Sequence, residues 1–255
     1  MIHIDPSLSA TKPHQSGRLK RAFARCASYR FLHCVFSYPD PETVDFLRNF
    51  ILSEEYNNLT GHLGFDSQSV LGPLSDILRG DLSEIQEDLE IEYTRLFINS
   101  FNGIPAKPYE SVYLGKGHLV VGDATIRVRE FYQDFGVGPV PDHPEPPDHI
   151  AIETEFMAYL IDRAINAYAE GDLKKGETFS DAQIRFLQQH LLCWAWNFSD
   201  RICVHTQHPF YRAVGLFSKQ FFDGERRQVD LLMRQPVLNQ KSDIPFAIEP
   251  KRNDL

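Results

Sequence analysis

The chain has 255 residues, 42% of them hydrophobic and 24% charged, with a net charge of −9. That length and balance suit a soluble globular protein able to bury a substantial core. The acidic surface argues against nucleic acid or an anionic membrane as partner, since phosphate binding needs a cationic face, and suits a basic client such as an arginine-bearing peptide. No run of eighteen apolar residues occurs, so no membrane insertion is expected. Residues 1–15 lack the apolar core of a signal peptide, so a cytoplasmic location is expected. Cys26, Cys34, Cys193 and Cys203 show no CxxC pairing and read as buried reduced thiols.

Apolar residues recur with helical period almost throughout. Residues 17–37 carry Leu19, Phe23, Ala27, Phe31, Leu32 and Val35 and stop at Pro39-Asp40-Pro41. Helices follow from Glu42 to Leu52 and from Ser67 to Leu78. Asp81-Leu82-Ser83-Glu84 reads as a capping box opening a helix through Phe97. Residues 100–122 look like loop, with glycines at 103, 115, 117 and 122; His118–Val121 alternates like a strand but is too short for a sheet. Asp123 is read as the cap of a helix bearing Val128, Phe131, Tyr132 and Phe135 that ends at Gly136. Asp148 is read as the cap of the next, ending near Glu170. Further helices are expected from Ser180 through Ile202 and from Pro209 through Phe222. The expectation is an all-α fold, a single globular bundle-like domain of about eight to nine helices. It occupies residues 18–222, with a flexible segment 1–17 before it and a C-terminal tail 223–255 after it.

Three clusters carry the candidate chemistry. Five prolines between 139 and 147 stiffen the loop that ends in Asp148-His149. Glu153, one turn into the helix behind, projects at about −60° from Ile150 at 100° per residue, inside the stripe of Met157, Ile161, Ala164 and Tyr168; Glu155 projects at about 140°, toward water. A carboxylate on an apolar face is costly unless paired or hydrogen-bonded, so Glu153 reads as a buried brace. The second cluster is Tyr93, Leu96 and Phe97, spaced i, i+3 and i+4, which pack a core or line a groove. The third is the loop Lys107-Pro108-Tyr109-Glu110-Ser111-Val112-Tyr113, with amphipathic rings and a carboxylate. The templates GxSxG, Walker A, GxGxxG, HExxH and paired ExxH are all missing. A metal-dependent hydrolase built on Asp148, His149 and Glu153, with His205 or His208, remains an alternative. So does a plain scaffold in which all three clusters are core.

These motifs together resemble the TorD/DmsD/NarJ family of chaperones that mature molybdoenzymes. Tyr93-Thr94-Arg95-Leu96-Phe97 is similar to the family's aromatic-x-x-Leu-Phe motif, and Pro108-Tyr109-Glu110-Ser111-Val112-Tyr113 to its Pro-aromatic-x-Ser-Val motif. Phe131-Tyr132 through Phe135-Gly136 follows in order, then Pro147-Asp148-His149 with Glu153 and Phe156-Met157 behind it, and more weakly Trp196 and His208-Pro209-Phe210-Tyr211. Glu110 departs from members with a small residue there. The resemblance implies a non-enzymatic, cofactor-free cytoplasmic chaperone. It would bind the N-terminal, twin-arginine signal sequence of a molybdenum-containing oxidoreductase catalytic subunit and assist cofactor insertion before export or assembly. The expected contact residues are Tyr93, Leu96, Phe97, Pro108, Tyr109, Glu110, Ser111, Asp148 and His149, with Glu110 and Asp148 meeting client arginines and Glu153 and Phe156 as structural support. The resemblance also implies weak guanine-nucleotide binding, for which the chain shows no phosphate-cradling loop.

Overall fold

The structure is a computed structural model that describes residues 17–54, 61–101, 103–115, 120–138 and 144–234. The expected segments 1–17 and 223–255, the strand-like 118–121 and the proline loop therefore fall wholly or partly outside the described residues. Those residues form α-helices throughout: α1 (Gly17–Phe36), α2 (Pro41–Leu52), α3 (Ser67–Ile77), α4 (Leu82–Tyr93), α5 (Glu110–Leu114), α6 (Asp123–Asp134), α7 (Ile150–Ala169), α8 (Leu173–Phe186), α9 (Leu192–His205) and α10 (Pro209–Arg234). Strands are absent among the described residues; the one β feature there is an isolated antiparallel bridge between Tyr109 and His149.

Local chemistry explains most boundaries. The side chains of Asp40, Asp66, Asp81 and Asp172 accept first-turn amides of α2, α3, α4 and α8. Gly136 and Gly171, at φ +73° and +82°, supply the left-handed residues that end α6 and α7. Two helices change pitch instead of stopping. Residues Thr94–Ile98 after α4 and Leu187–Leu191 between α8 and α9 wind as single π turns.

Helix α7 is the axis of the domain, packed between α1 and α8, while α10 lies across α9 and α3. Aromatic residues fill the interior. Phe97 contacts the rings of Phe36, Tyr93, Phe198 and Tyr211 at 4.9–6.3 Å. Phe156 is ringed by Phe131, Tyr132 and Phe186 at 4.4–6.0 Å.

Four boundaries differ from the sequence reading. Asp123 is the first residue of α6, and Gly122 takes the cap position. Helix α8 begins at Leu173, not Ser180, because Asp172 caps it; Gly176 sits inside, where an added Cβ would come within 2.5 Å of the Tyr168 ring. Helix α5 lies in a stretch that composition marks as loop. Helix α10 continues past Phe222 to Arg234, and its Glu225 and Val229 are buried. The reason is a long-range clasp. The Arg25 guanidinium of α1 donates to both Glu225 oxygens at 2.7 and 2.6 Å and to Gln183 Oε1 at 2.9 Å, while Tyr29 donates its hydroxyl to Glu225 at 2.8 Å.

The four cysteines are free, and only Cys26 among them is fully buried. Burial pushes the Cys26 thiol up to about 11 and that of Cys34 up to about 12. Cys193, expected in the interior, is exposed.

Candidate functional site

The Pro108–Ser111 loop and the start of α7 form one unit. Their backbones exchange hydrogen bonds like a two-residue sheet: Glu110 N–H donates to Asp148 O at 3.0 Å and Ile150 N–H to Pro108 O at 2.9 Å. The Asp148 side chain then accepts no amide of its own helix. Its Oδ2 accepts the Ser111 amide at 2.9 Å and so caps α5 across the chain. The true cap of α7 is His149, whose Nδ1 accepts the Ala151 amide at 3.2 Å. That bond fixes the neutral ring as the Nε2–H tautomer. Two short pieces of backbone thus hold each other's helix starts.

Beneath this clamp lies a buried polar cluster. Glu110, entirely buried, meets His190 Nδ1 at 3.1 Å, from the π turn between α8 and α9. Glu153, also entirely buried, accepts the Trp194 indole N–H at 3.2 Å. Burial, and then the charge of Glu110, raise the Glu153 carboxyl well above its ordinary value of 4.5, so it keeps its proton. Protonated, Glu153 can donate from its second oxygen, Oε1, which accepts no hydrogen bond among the described residues and has the Glu110 carboxylate as its electrostatic neighbour. Tyr132, its hydroxyl on Pro147 O at 3.0 Å, closes the cluster from α6. Phe156, three residues beyond Glu153 on α7, packs its ring against Phe131, Tyr132 and Phe186.

The structure brings the Tyr109 loop and Asp148-His149 together and separates them from most of the other candidates. Leu96 and Phe97 are core, Pro108 and Ser111 are buried, and Asp148 and His149 are closed off from solvent. Glu110 and Asp148 were expected to meet client arginines; both are wholly buried and engaged inside. Tyr93, also buried, anchors its hydroxyl on Phe36 O at 3.0 Å. Of the nine candidates, Tyr109 is the one with a partly open side chain. It donates to Glu145 Oε2 at 2.8 Å and stands edge-on to the His149 ring at 5.2 Å. Sequence reasoning passed over Glu145, His190 and the exposed Tyr38. Glu145 stood within the proline stretch next to the chosen Asp148-His149, and Tyr38 beside Pro39, but neither has a local pattern that marks it.

His205 and His208 sit elsewhere, around Glu92. Burial alone would raise Glu92, but hydrogen bonds from Arg95 (2.6 Å, bidentate) and from Thr206 (2.5 Å) hold it below its usual range. Burial lowers His208. These histidines therefore do not join Asp148. Among the described residues no group of three or more His, Cys, Asp or Glu side chains is disposed to hold a metal ion. The hydrolase alternative thus lacks a donor set among the described residues, where Asp148 Oδ2 and His149 Nδ1 already accept backbone amides.

Fold and site define an all-helical protein in which a rigid, internally hydrogen-bonded clamp presents a tyrosine–carboxylate edge to solvent. The profile of the family described as nitrate reductase delta subunit matches residues 66–200. The chaperone protein TorD of Aliivibrio salmonicida is 29% identical over 178 residues, covering 67% of this chain and 81% of the relative. TorD of Vibrio cholerae serotype O1 (strain ATCC 39541 / Classical Ogawa 395 / O395) is 30% identical over 155 residues, covering 61% and 68%. The Tat proofreading chaperone DmsD of Salmonella paratyphi A is 27% identical over 134 residues, covering 52% and 58%. The solved structure of a chain described as a redox enzyme maturation protein from Archaeoglobus fulgidus superposes with a TM-score of 0.50 at 21% identity, over 84% of this chain and 98% of that one, and shares the fold. The chain belongs to the TorD/DmsD/NarJ family of redox-enzyme maturation proteins.

Proposed function

We propose that this protein is a cytoplasmic chaperone for the catalytic subunit of a molybdenum-containing oxidoreductase. It binds that subunit's N-terminal signal sequence, of the twin-arginine kind, and holds the subunit while its cofactor is inserted, before export or assembly. The kinship with TorD and DmsD chaperones supports the general role. The observation that carries the site is Tyr109, half-open at the edge of a clamp whose other members are buried. Tyr93, Leu96, Phe97, Pro108, Glu110, Ser111, Asp148 and His149 form the surface's foundation, and they act by fixing Tyr109 and its neighbours. A preorganised edge reduces the ordering cost of capturing an extended peptide.

Calorimetric titration tests this, using the signal peptide of a molybdoenzyme encoded beside this gene. Tyr109→Ala is expected to weaken binding by about tenfold or more, as truncation of an aromatic anchor does. Equal affinity in parent and variant would remove Tyr109 from the site. Absence of binding to the parent would remove the signal-sequence reading itself.

A further inference from the structure

Helices α6 and α8 and the π turn that follows α8 enclose a cavity of about 470 Å³. Arg127, Glu130, Phe131 and Asp134 line it from one face of α6, Arg185 from α8 and His190 from the π turn. Helical rise sets Asp134 about 10 Å along α6 from Arg127, with Glu130 between them. The two arginines and the two acids make no hydrogen bond or ion pair among the described residues. The Arg185 guanidinium lies over the rings of Phe131 and Phe135, at 5.2 and 5.9 Å. At the floor stands His190, 3% exposed. Its Nδ1 is engaged by Glu110 at 3.1 Å, and the rings of Phe186 and Phe131 pack on it at 5.1 and 5.8 Å. Nε2, on the edge away from Glu110, has no hydrogen-bond partner among the described residues and is not sealed in the interior. It therefore opens on the cavity that His190 lines.

Two unengaged guanidiniums and an imidazole edge around one space suit an oxyanion, which each guanidinium meets with a planar fork of donors. Glu130 and Asp134 narrow the choice. A doubly charged phosphate would lie against both acids, whereas a carboxylate brings a single charge and matches the fork. We propose that this cavity binds a carboxylate group, held by Arg127, Arg185 and His190 Nε2 and presented by an acidic peptide residue or a free organic acid. The site lies apart from the Tyr109 edge and does not depend on the signal-sequence reading. Glu110 accepts the Nδ1 proton, so Nε2 of the neutral ring is a lone pair, and a carboxylate beside it favours a second proton there. Binding therefore takes up a proton. The charges facing the ring are Glu110 from α5, Arg127, Glu130 and Asp134 from α6, and Arg185 from α8. Arg226 of α10 donates to Leu192 O just beyond the turn.

The test titrates the full chain with four probes and follows the imidazole nitrogen resonances of His190. The probes are the peptide acetyl-Gly-Glu-Gly-amide, its glutamine counterpart, propionate and inorganic phosphate. The glutamate peptide is expected to bind about tenfold or more tightly than the glutamine peptide, the range for charge-assisted hydrogen bonds. It is expected to shift the Nε2 resonance and to bind more tightly at pH 6 than at pH 8, as proton uptake by a histidine requires. Propionate binding as well as the glutamate peptide assigns the site to a free acid, and much weaker binding assigns it to a peptide. Arg127→Gln is expected to lose the preference for glutamate. Arg129→Gln, the same charge change at an exposed position of α6 off the cavity, is expected to keep it. Equal binding of the two peptides by the parent, or equal losses in the two variants, overturns the site. Phosphate binding more tightly than either carboxylate overturns the choice of ligand, and binding that is the same at both pH values removes His190 from it.

Discussion

Glu153 binds its proton more tightly in the folded protein than in the unfolded chain, because burial, and then the neighbouring charge of Glu110, oppose its ionisation. The sign of the linkage follows. The folded state holds more protons than the unfolded state above the ordinary carboxyl value of 4.5, so stability declines as pH rises from there toward the raised folded value. Glutamine mimics the protonated acid in shape and in its ability both to donate to Glu110 and to accept from Trp194. Glu153→Gln is therefore expected to match the parent near pH 5 and to be the more stable protein near pH 8. Thermal melts across that interval check this, and parallel pH profiles would show that Glu153 does not carry the linkage. His190, which meets Glu110 from the far side, is the member of this cluster that no local pattern marks. Its partner lies 80 residues away in sequence.

At the scale of elements, the start of α5 depends on a residue outside it. Asp148→Ala removes the acceptor of the Ser111 amide and leaves that amide unpaired in the interior, a loss of about 1–3 kcal/mol. Asp148→Asn keeps an oxygen in place and is expected to restore most of it. Urea midpoints separate the two, and equal losses would show that charge, not the cap, is what matters at 148. The same contact explains where the sequence misled. Asp is a strong local cap, and a reading confined to neighbours assigns it to α7; the structure spends it on α5 and gives α7 to His149. Elements set by local chemistry were legible: α1, α2, α3 and α4 carry clear apolar stripes or aspartate caps. Helix α5 was not, because its amides are satisfied by Asp148. The site was legible as a meeting of the Tyr109 loop with Asp148-His149, but not in which side chains face water. Burial depends on what the rest of the chain lays over them.

The whole molecule is closed by a contact between its described ends. Arg25 and Glu225 stand 200 residues apart and are both nearly inaccessible. Removing one partner strands the other, so Arg25→Met or Glu225→Leu alone is expected to cost about 3–5 kcal/mol, and the double substitution to recover part of it. A chain stopped at Phe222 strands Arg25 in the same way. Denaturant unfolding checks the set; a double variant as unstable as the worse single would show that the pair carries more than it costs to bury. The two π turns have a different consequence, one of phase. Each holds one residue more than an α turn would, so everything beyond it is rotated by about 100° relative to an uninterrupted helix. One follows Tyr93 and carries Leu96 and Phe97 inward; the other presents His190 to Glu110 and precedes Trp194. Deleting a single residue from 187–191 would restore ordinary helical winding yet turn either Phe186 or Trp194 away from its place. These segments therefore act as fixed spacers in which residue count, more than residue identity, keeps the two halves of the site in register.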